Sequence, residues 1–269
     1  MRPLLKVALS VFLLAASAAD ATSQPVPERA GASAQVALCA LFVGNSLTYV
    51  NDLPGTVQRL AAATPLHAVL TVHTVMAPGA TLADHWRNGE AVRVLRETRP
   101  DVLVLQGQSV EPLAIPESFA QHAALFKAEA DKVHAVTVLF STWARPAGDS
   151  FYREPVSGGS PSIMQTRLNE AYAALALRLG ATLAPVGVAF VQAQSVAPQV
   201  ALLDGTQHPS LAGTYLAAAV FFRVLFHGCP VGSTYLGGLP PPVAAALQHI
   251  AAGLPVVAPS RASTLPQTR

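Results

Sequence analysis

LFVGNSLTYV, residues 41–50, carries an apolar run into a Gly-Asn-Ser turn. The run starts upstream, as VALCALFVG over 36–44, and four more β-rich runs follow it: AVLTVHTVM at 68–76, DVLVLQG at 101–107, AVTVLFSTW at 135–143 and ATLAPVGVAF at 181–190. Stretches such as DVLVLQ lack strict polar alternation, as expected of strands covered on both faces. Ala- and Leu-rich segments near 53–63, 82–97, 117–133 and 162–179 separate the runs, and a last helical segment near 211–226 follows His-Pro-Ser. This alternation predicts an α/β fold, a five-stranded parallel sheet between two helical layers in a three-layer α/β/α sandwich. The Gly-, Pro- and Ser-rich span ARPAGDSFYREPVSGGSP at 144–161 reads as a long loop rather than a domain boundary.

Working outward, the chain opens MRPLLKVALSVFLLAASAADATSQ, with Arg2 and Lys6 ahead of an uncharged run from Val7 to Ala19. A-x-A sites end at Ala18 and Ala21, the layout of a cleaved export signal, and the run is too short to span a bilayer comfortably. The expected organisation is a signal peptide at 1–21, a linker at 22–35, the α/β domain at 36–238, and a short helix with a loose tail at 239–269. The longest later apolar run, LAAAVFFRVLF, is interrupted by Arg223, so no stable membrane insertion is expected. A formal net charge of +2 with 12% charged residues gives no electrostatic footprint for nucleic acid. Cys39 reads as a buried thiol within a strand; its pairing with Cys229, the only other cysteine, stays open. Neither has the neighbours of a zinc site.

At the carboxyl edge of such a sheet, loops from several strands form one crevice. Ser46 follows the first strand directly and precedes a helix. Gly79 follows the second, Gln106 and Gln108 the third, and Asp204 and His208 stand just before the last helix. The other Gly-x-Ser triplets are weaker. Ser33 lies in the linker, Ser150 and Ser160 in the long loop, and Ser109 precedes Glu111-Pro112, which does not start a helix cleanly. Asp131 and His134 also spell Asp-x-x-His, but they precede a strand and so fall at the opposite edge.

In this order the residues resemble the SGNH/GDSL hydrolase superfamily, over essentially the whole chain beyond the leader to about residue 227. FVGNSLT is similar to its first block, MAPGATL to the second, LQGQS stands where the family has Gly-x-Asn, and DGTQHPS resembles the last, Asp-x-x-His. The resemblance implies a flavodoxin-like fold and an exported serine esterase without metal or cofactor. It makes Ser46 the nucleophile, His208 the base and Asp204 its acid partner. The oxyanion hole would combine the N–H groups of Ser46 and Gly79 with a glutamine amide. Strand alternation sends Gln106 and Gln108 to the same side; the resemblance favours Gln106, with Gln108 in reserve.

Two departures matter. Asn45 stands where many members have Asp, and it can tie the turn by local hydrogen bonds. Asp204 lies four residues before His208, where three is the family spacing. Either the extra residue bulges at Gly205, or Asp204 is out of reach and a Ser–His dyad remains. Trp143 and Arg145, bordering the same crevice, join Asn45 as candidates for substrate contact. The expected substrate is a small-molecule or carbohydrate ester of acetyl type, met in the periplasm or outside the cell. A lysophospholipase or thioesterase is the alternative chemistry, and a dead, glycan-binding relative the alternative class.

Overall fold

The computed structural model describes residues 36–255. The leader and linker expected at 1–35 and the tail beyond 255 lie outside the described residues. Five parallel strands, β1 (Ala37–Gly44), β2 (Val69–Met76), β3 (Val102–Leu105), β4 (Val136–Phe140) and β5 (Thr182–Ala184), form one sheet in the order β2-β1-β3-β4-β5. Side chains along each strand alternate between two apolar layers, as a two-residue period requires. Leu38, Ala40 and Phe42 of β1, with Val102, Val104, Val138 and Phe140, enter one layer; Leu41, Val43, Leu103, Leu105 and Leu139 enter the other.

The first layer is closed by α2 (Leu53–Ala62), α8 (Val186–Val196), α9 (Leu211–Phe226) and α10 (Pro241–Gly253), and the second by α3 (Leu82–Asn88), α4 (Glu90–Thr98), α6 (Pro116–Lys132) and α7 (Pro161–Leu179). Within α9 only Leu211 and Arg223 escape burial, which explains a helix that is apolar all round. It is covered by α2, α8 and α10 as well as the sheet side. No helix among the described residues is long and apolar enough to cross a membrane.

Three elements differ from the sequence expectation. The fifth run is a strand only to Ala184; after Pro185 the residues VGVAF begin α8. Its apolar, β-branched residues are buried on a helix instead, so hydrophobicity alone misread their conformation. The helix expected over 82–97 is two, broken at Gly89 with φ +78. Short helices α1 (Ser46–Tyr49) and α5 (Glu111–Ala114) come after β1 and β3, the first almost directly and the second beyond a short loop. Cys39 is half-buried rather than buried, and both cysteines are free thiols.

The registers pair Gly44 with Met76, Val43 with Leu105, Leu105 with Leu139, and Phe140 with Ala184. The strands therefore end nearly level, and their following loops open on one edge. The chain leaves β1 for β2 on one side and returns to β3 on the other, so the switch point lies between β1 and β3.

Candidate active site

The turn after β1 is held from three directions. Asn45 caps α1 by accepting from Leu47 N–H at 3.1 Å, and its Nδ2 donates to the Ala80 carbonyl at 3.0 Å. Its own N–H, and the Thr48 hydroxyl, both donate to Gln106 Oε1 at 2.9 Å. Buried His85 donates from Nε2 to the Gly44 carbonyl at 2.9 Å. Burial pushes its pKa down, so the ring stays neutral, and a carbonyl partner assigns the proton to Nε2. Ser46 sits on this anchored turn. Among the described residues no acceptor meets its N–H, although the amides of Asn45, Leu47, Thr48, Tyr49 and Val50 are all engaged.

His208 arrives on a tight hairpin. Leu203 and Pro209 form an antiparallel bridge, and Asp204 N–H donates to the His208 carbonyl at 3.1 Å. Gly205 takes φ +96, a conformation open to glycine, and so absorbs the extra residue of the D-G-T-Q-H spacing. The hairpin brings His208 Nε2 to 3.0 Å from Ser46 Oγ across 162 positions of sequence. Two further bonds hold it. Asn51, in the left-handed region between α1 and α2, donates to the Pro209 carbonyl at 2.8 Å, and Trp143 Nε1 donates to the Gln207 carbonyl at 3.0 Å.

Asp204 does not meet the imidazole directly. Its Oδ1 accepts from Thr206 N–H at 2.9 Å and from the Thr206 hydroxyl at 2.6 Å. The same hydroxyl lies 3.0 Å from His208 Nδ1 and accepts from His208 N–H at 3.1 Å. The expected contact is thus replaced by one through Thr206, because the additional residue places a hydroxyl between the two side chains. These Thr206 bonds, with the nearby imidazole, hold the exposed Asp204 carboxyl below its ordinary pKa.

Gly79, expected on the oxyanion side, is exposed with φ +64, and among the described residues, its two chain neighbours aside, no heavy atom lies within 4 Å of the position a Cβ would take. Gln106 cannot serve as the expected donor in this arrangement. It is 0% exposed, its oxygen holds the turn that carries Ser46, and its Nε2 donates to the Gly107 carbonyl. Gln108 is half-buried; its Oε1 accepts from Val110 N–H, while its Nε2 has no acceptor among the described residues. Beside it, buried Glu111 accepts from Gln108 N–H at 2.8 Å and from Leu82 N–H at 3.2 Å. Burial pushes this carboxyl up to about 7 despite the two amides, which favour its charged form.

Of the candidates for substrate contact, Asn45 is corrected, while Trp143 and Arg145 keep a place beside a cavity. Asn45 is 2% and Trp143 3% exposed; both are committed to neighbouring loops, and the indole stacks on Phe190 at 4.4 Å. Arg145 donates to Ser109 Oγ at 3.0 Å and to Asp149 at 3.2 Å. Trp143 and Arg145 nevertheless line a cavity of about 700 Å³ together with Gln165, Asn169, Gln192 and Leu203. Ser109 does precede a helical turn, contrary to expectation, but it is buried and its partner is Arg145. Asp149 caps the short 3-10 turn Ser150–Arg153, and Asp131 pairs with Lys127. Asn51, Thr206, His85 and Glu111 carried no motif. Only the hydroxyl midway through D-G-T-Q-H was a usable signal.

Among solved structures, the chain is similar to a protein from Slackia heliotrinireducens assigned to the SGNH hydrolases. The identity is 32%, covering 70% of this chain and 99% of that one, with a TM-score of 0.58. It is also similar to a DUF4886 family protein from Bacteroides uniformis, at 18% identity, 80% and 93% coverage and a TM-score of 0.71. An acetylxylan esterase from Geobacillus stearothermophilus shares the fold at 15% identity, 69% and 93% coverage and a TM-score of 0.53. No family model matches the chain, and no curated protein does.

Proposed function

The chain belongs to the SGNH hydrolases, and from that membership we propose that it is a serine esterase acting through an acyl-enzyme at Ser46. One observation carries the reading: the 3.0 Å contact between Ser46 Oγ and His208 Nε2, made between loops at the same sheet edge. That is hydrogen-bond reach for a nucleophile and its base. Ser46 Oγ attacks the ester carbonyl carbon while Nε2 takes its proton. The tetrahedral oxyanion is met by the N–H groups of Ser46 and Gly79 and by the Gln108 amide, the engaged Gln106 being excluded. Collapse breaks the bond to the alcohol, which leaves with the proton from His208. Water then adds to the acyl-serine by the same route and releases the acid.

The proposed substrate is an acetyl-type ester with a polar, carbohydrate-like alcohol. The amide-lined cavity flanking the His208 hairpin supports it, as does the shared fold with an acetylxylan esterase. We also propose export, with cleavage after Ala21, on the strength of the basic head and apolar run.

A fluorophosphonate probe is expected to label Ser46. Ser46→Ala and His208→Ala should each lower kcat on p-nitrophenyl acetate by on the order of 10⁴-fold or more. Acetylated xylooligosaccharide should be turned over faster than a long-chain acyl ester. Labelling elsewhere would refute the site, and absence of both labelling and turnover would point to a binding protein. N-terminal sequencing of the mature chain tests the leader.

A further inference from the structure

Resting on the reading of Ser46 and His208 as the catalytic pair, we infer that Thr206 is the positioning residue that joins Asp204 to His208, making a triad with a hydroxyl inserted in it. The observation is a closed set of four contacts on one oxygen atom and its neighbours. Thr206 Oγ1 stands 2.6 Å from Asp204 Oδ1, 3.0 Å from His208 Nδ1 and 3.1 Å from His208 N, while Asp204 Oδ1 also takes Thr206 N–H at 2.9 Å.

A hydroxyl has one proton and two acceptor sites. An ionised carboxylate only accepts, so the Thr206 proton points to Asp204. Both lone pairs of Oγ1 must then face the two remaining neighbours, and each of those must donate. The His208 backbone N–H can do nothing else. Nδ1 must therefore carry a proton, which leaves Nε2 bare toward Ser46 Oγ. The hydroxyl thus selects the tautomer that a general base at Nε2 needs, the task a directly bonded acid performs in an ordinary triad. When Nε2 takes the serine proton, the positive ring still donates from Nδ1 to an oxygen polarised by the carboxylate. No proton passes to threonine.

A threonine that merely closed the turn would need only its bonds to Asp204. The contact with Nδ1 is the additional fact, and it occurs where the sequence has one residue too many for direct contact. Asp204 holds both the backbone and the hydroxyl of Thr206, so the hydrogen-bonded path from its carboxylate to the ring runs through this one side chain.

The test uses the purified full chain and p-nitrophenyl acetate, measuring kcat, KM and thermal melting for Thr206→Val, Thr206→Ser, Asp204→Ala and the Thr206→Val/Asp204→Ala pair. Thr206→Val should lower kcat by roughly 10²-fold, less than the 10⁴ of a directly bonded acid, with KM changed less than about twofold. Thr206→Ser, which keeps the oxygen, should recover kcat to within a few-fold of the parent. Asp204→Ala should cost no more than Thr206→Val, and the pair no more than either alone, because both act through one link. Full kcat in Thr206→Val, failure of serine to rescue, or losses that multiply in the pair would each overturn the relay. Should the valine variant melt early, Asp204→Ala and Thr206→Ser still decide, since residue 204 is exposed. Ser46→Ala separates the two readings: if it stays active the catalytic pair itself is wrong, whereas an inactive Ser46→Ala beside a fully active Thr206→Val removes the relay alone.

Discussion

Gln106 and Gln108 show how two identical side chains, two residues apart, take opposite tasks. A Cβ at Gly44 would stand 2.6 Å from Gln106 Oε1 and 2.9 Å from Thr48 Oγ1, so the missing methyl opens the slot in which the amide lies. There it satisfies Asn45 N–H and the Thr48 hydroxyl, both buried. Removing it strands two donors. Gln106→Ala should lower the free energy of unfolding by about 2 kcal/mol, read from the urea midpoint, and activity should fall with it. Gln108→Ala should leave the midpoint unchanged and lower kcat by about 10²-fold, the usual loss for one oxyanion donor. A stable Gln106→Ala with the larger catalytic loss would restore the assignment that the resemblance favoured. Period-two alternation could not separate the pair, because the distinction arises from a space on a neighbouring strand. By the same reasoning, Asn45 is explained by a carbonyl acceptor: its Nδ2 donates to Ala80, a bond that an ionised aspartate could not make.

At the scale of elements, what was legible follows from repetition. Each strand of the sheet reads as an apolar run and each crossover as a helical segment, so the placement of Ser46, Gly79, Gln108 and His208 at one edge follows from chain order alone. What escaped were bonds between loops. Asn51 reaches Pro209 over 158 positions and Trp143 reaches Gln207 over 64, with no period or motif to announce either. VGVAF was misread because β-branched residues suit both a buried strand and a buried helix, and only Pro185 marks the change. The Trp143 link can be weighed directly. Trp143→Phe keeps an aromatic ring against Phe190 but loses the N–H that holds the His208 hairpin. We expect kcat to fall about tenfold with KM nearly constant, since misplacing a base costs rate rather than binding. An unchanged kcat would show that Asn51 and the Leu203–Pro209 bridge suffice.

Across the molecule, the edge loops are tied into a ring. Asn45 joins the β1 and β2 loops, Glu111 the β2 and β3 loops, Arg145 and Ser109 the β3 and β4 loops, Trp143 the β4 loop and the hairpin, and Asn51 closes back to β1. Glu111 is the strained member of that ring, a carboxyl 1% exposed with Asp84 and Tyr172 as its electrostatic neighbours. Its pKa rises from 4.5 to about 7, first through burial, so the folded chain keeps a proton that the unfolded chain releases within that interval. Stability then declines as pH rises from about 5 to about 7, because the native state binds more protons there. The full shift corresponds to about 3 kcal/mol. Glu111→Gln has no such proton to lose. Urea unfolding of both proteins at pH 5 and pH 8 should therefore show the wild type losing up to about 3 kcal/mol relative to the variant, while groups common to both cancel. If the difference between the two proteins is flat with pH, the two amides of Gln108 and Leu82 outweigh burial. Glu111 is then an ionised clamp throughout, holding the loops after β2 and β3 by charge rather than by a shared proton.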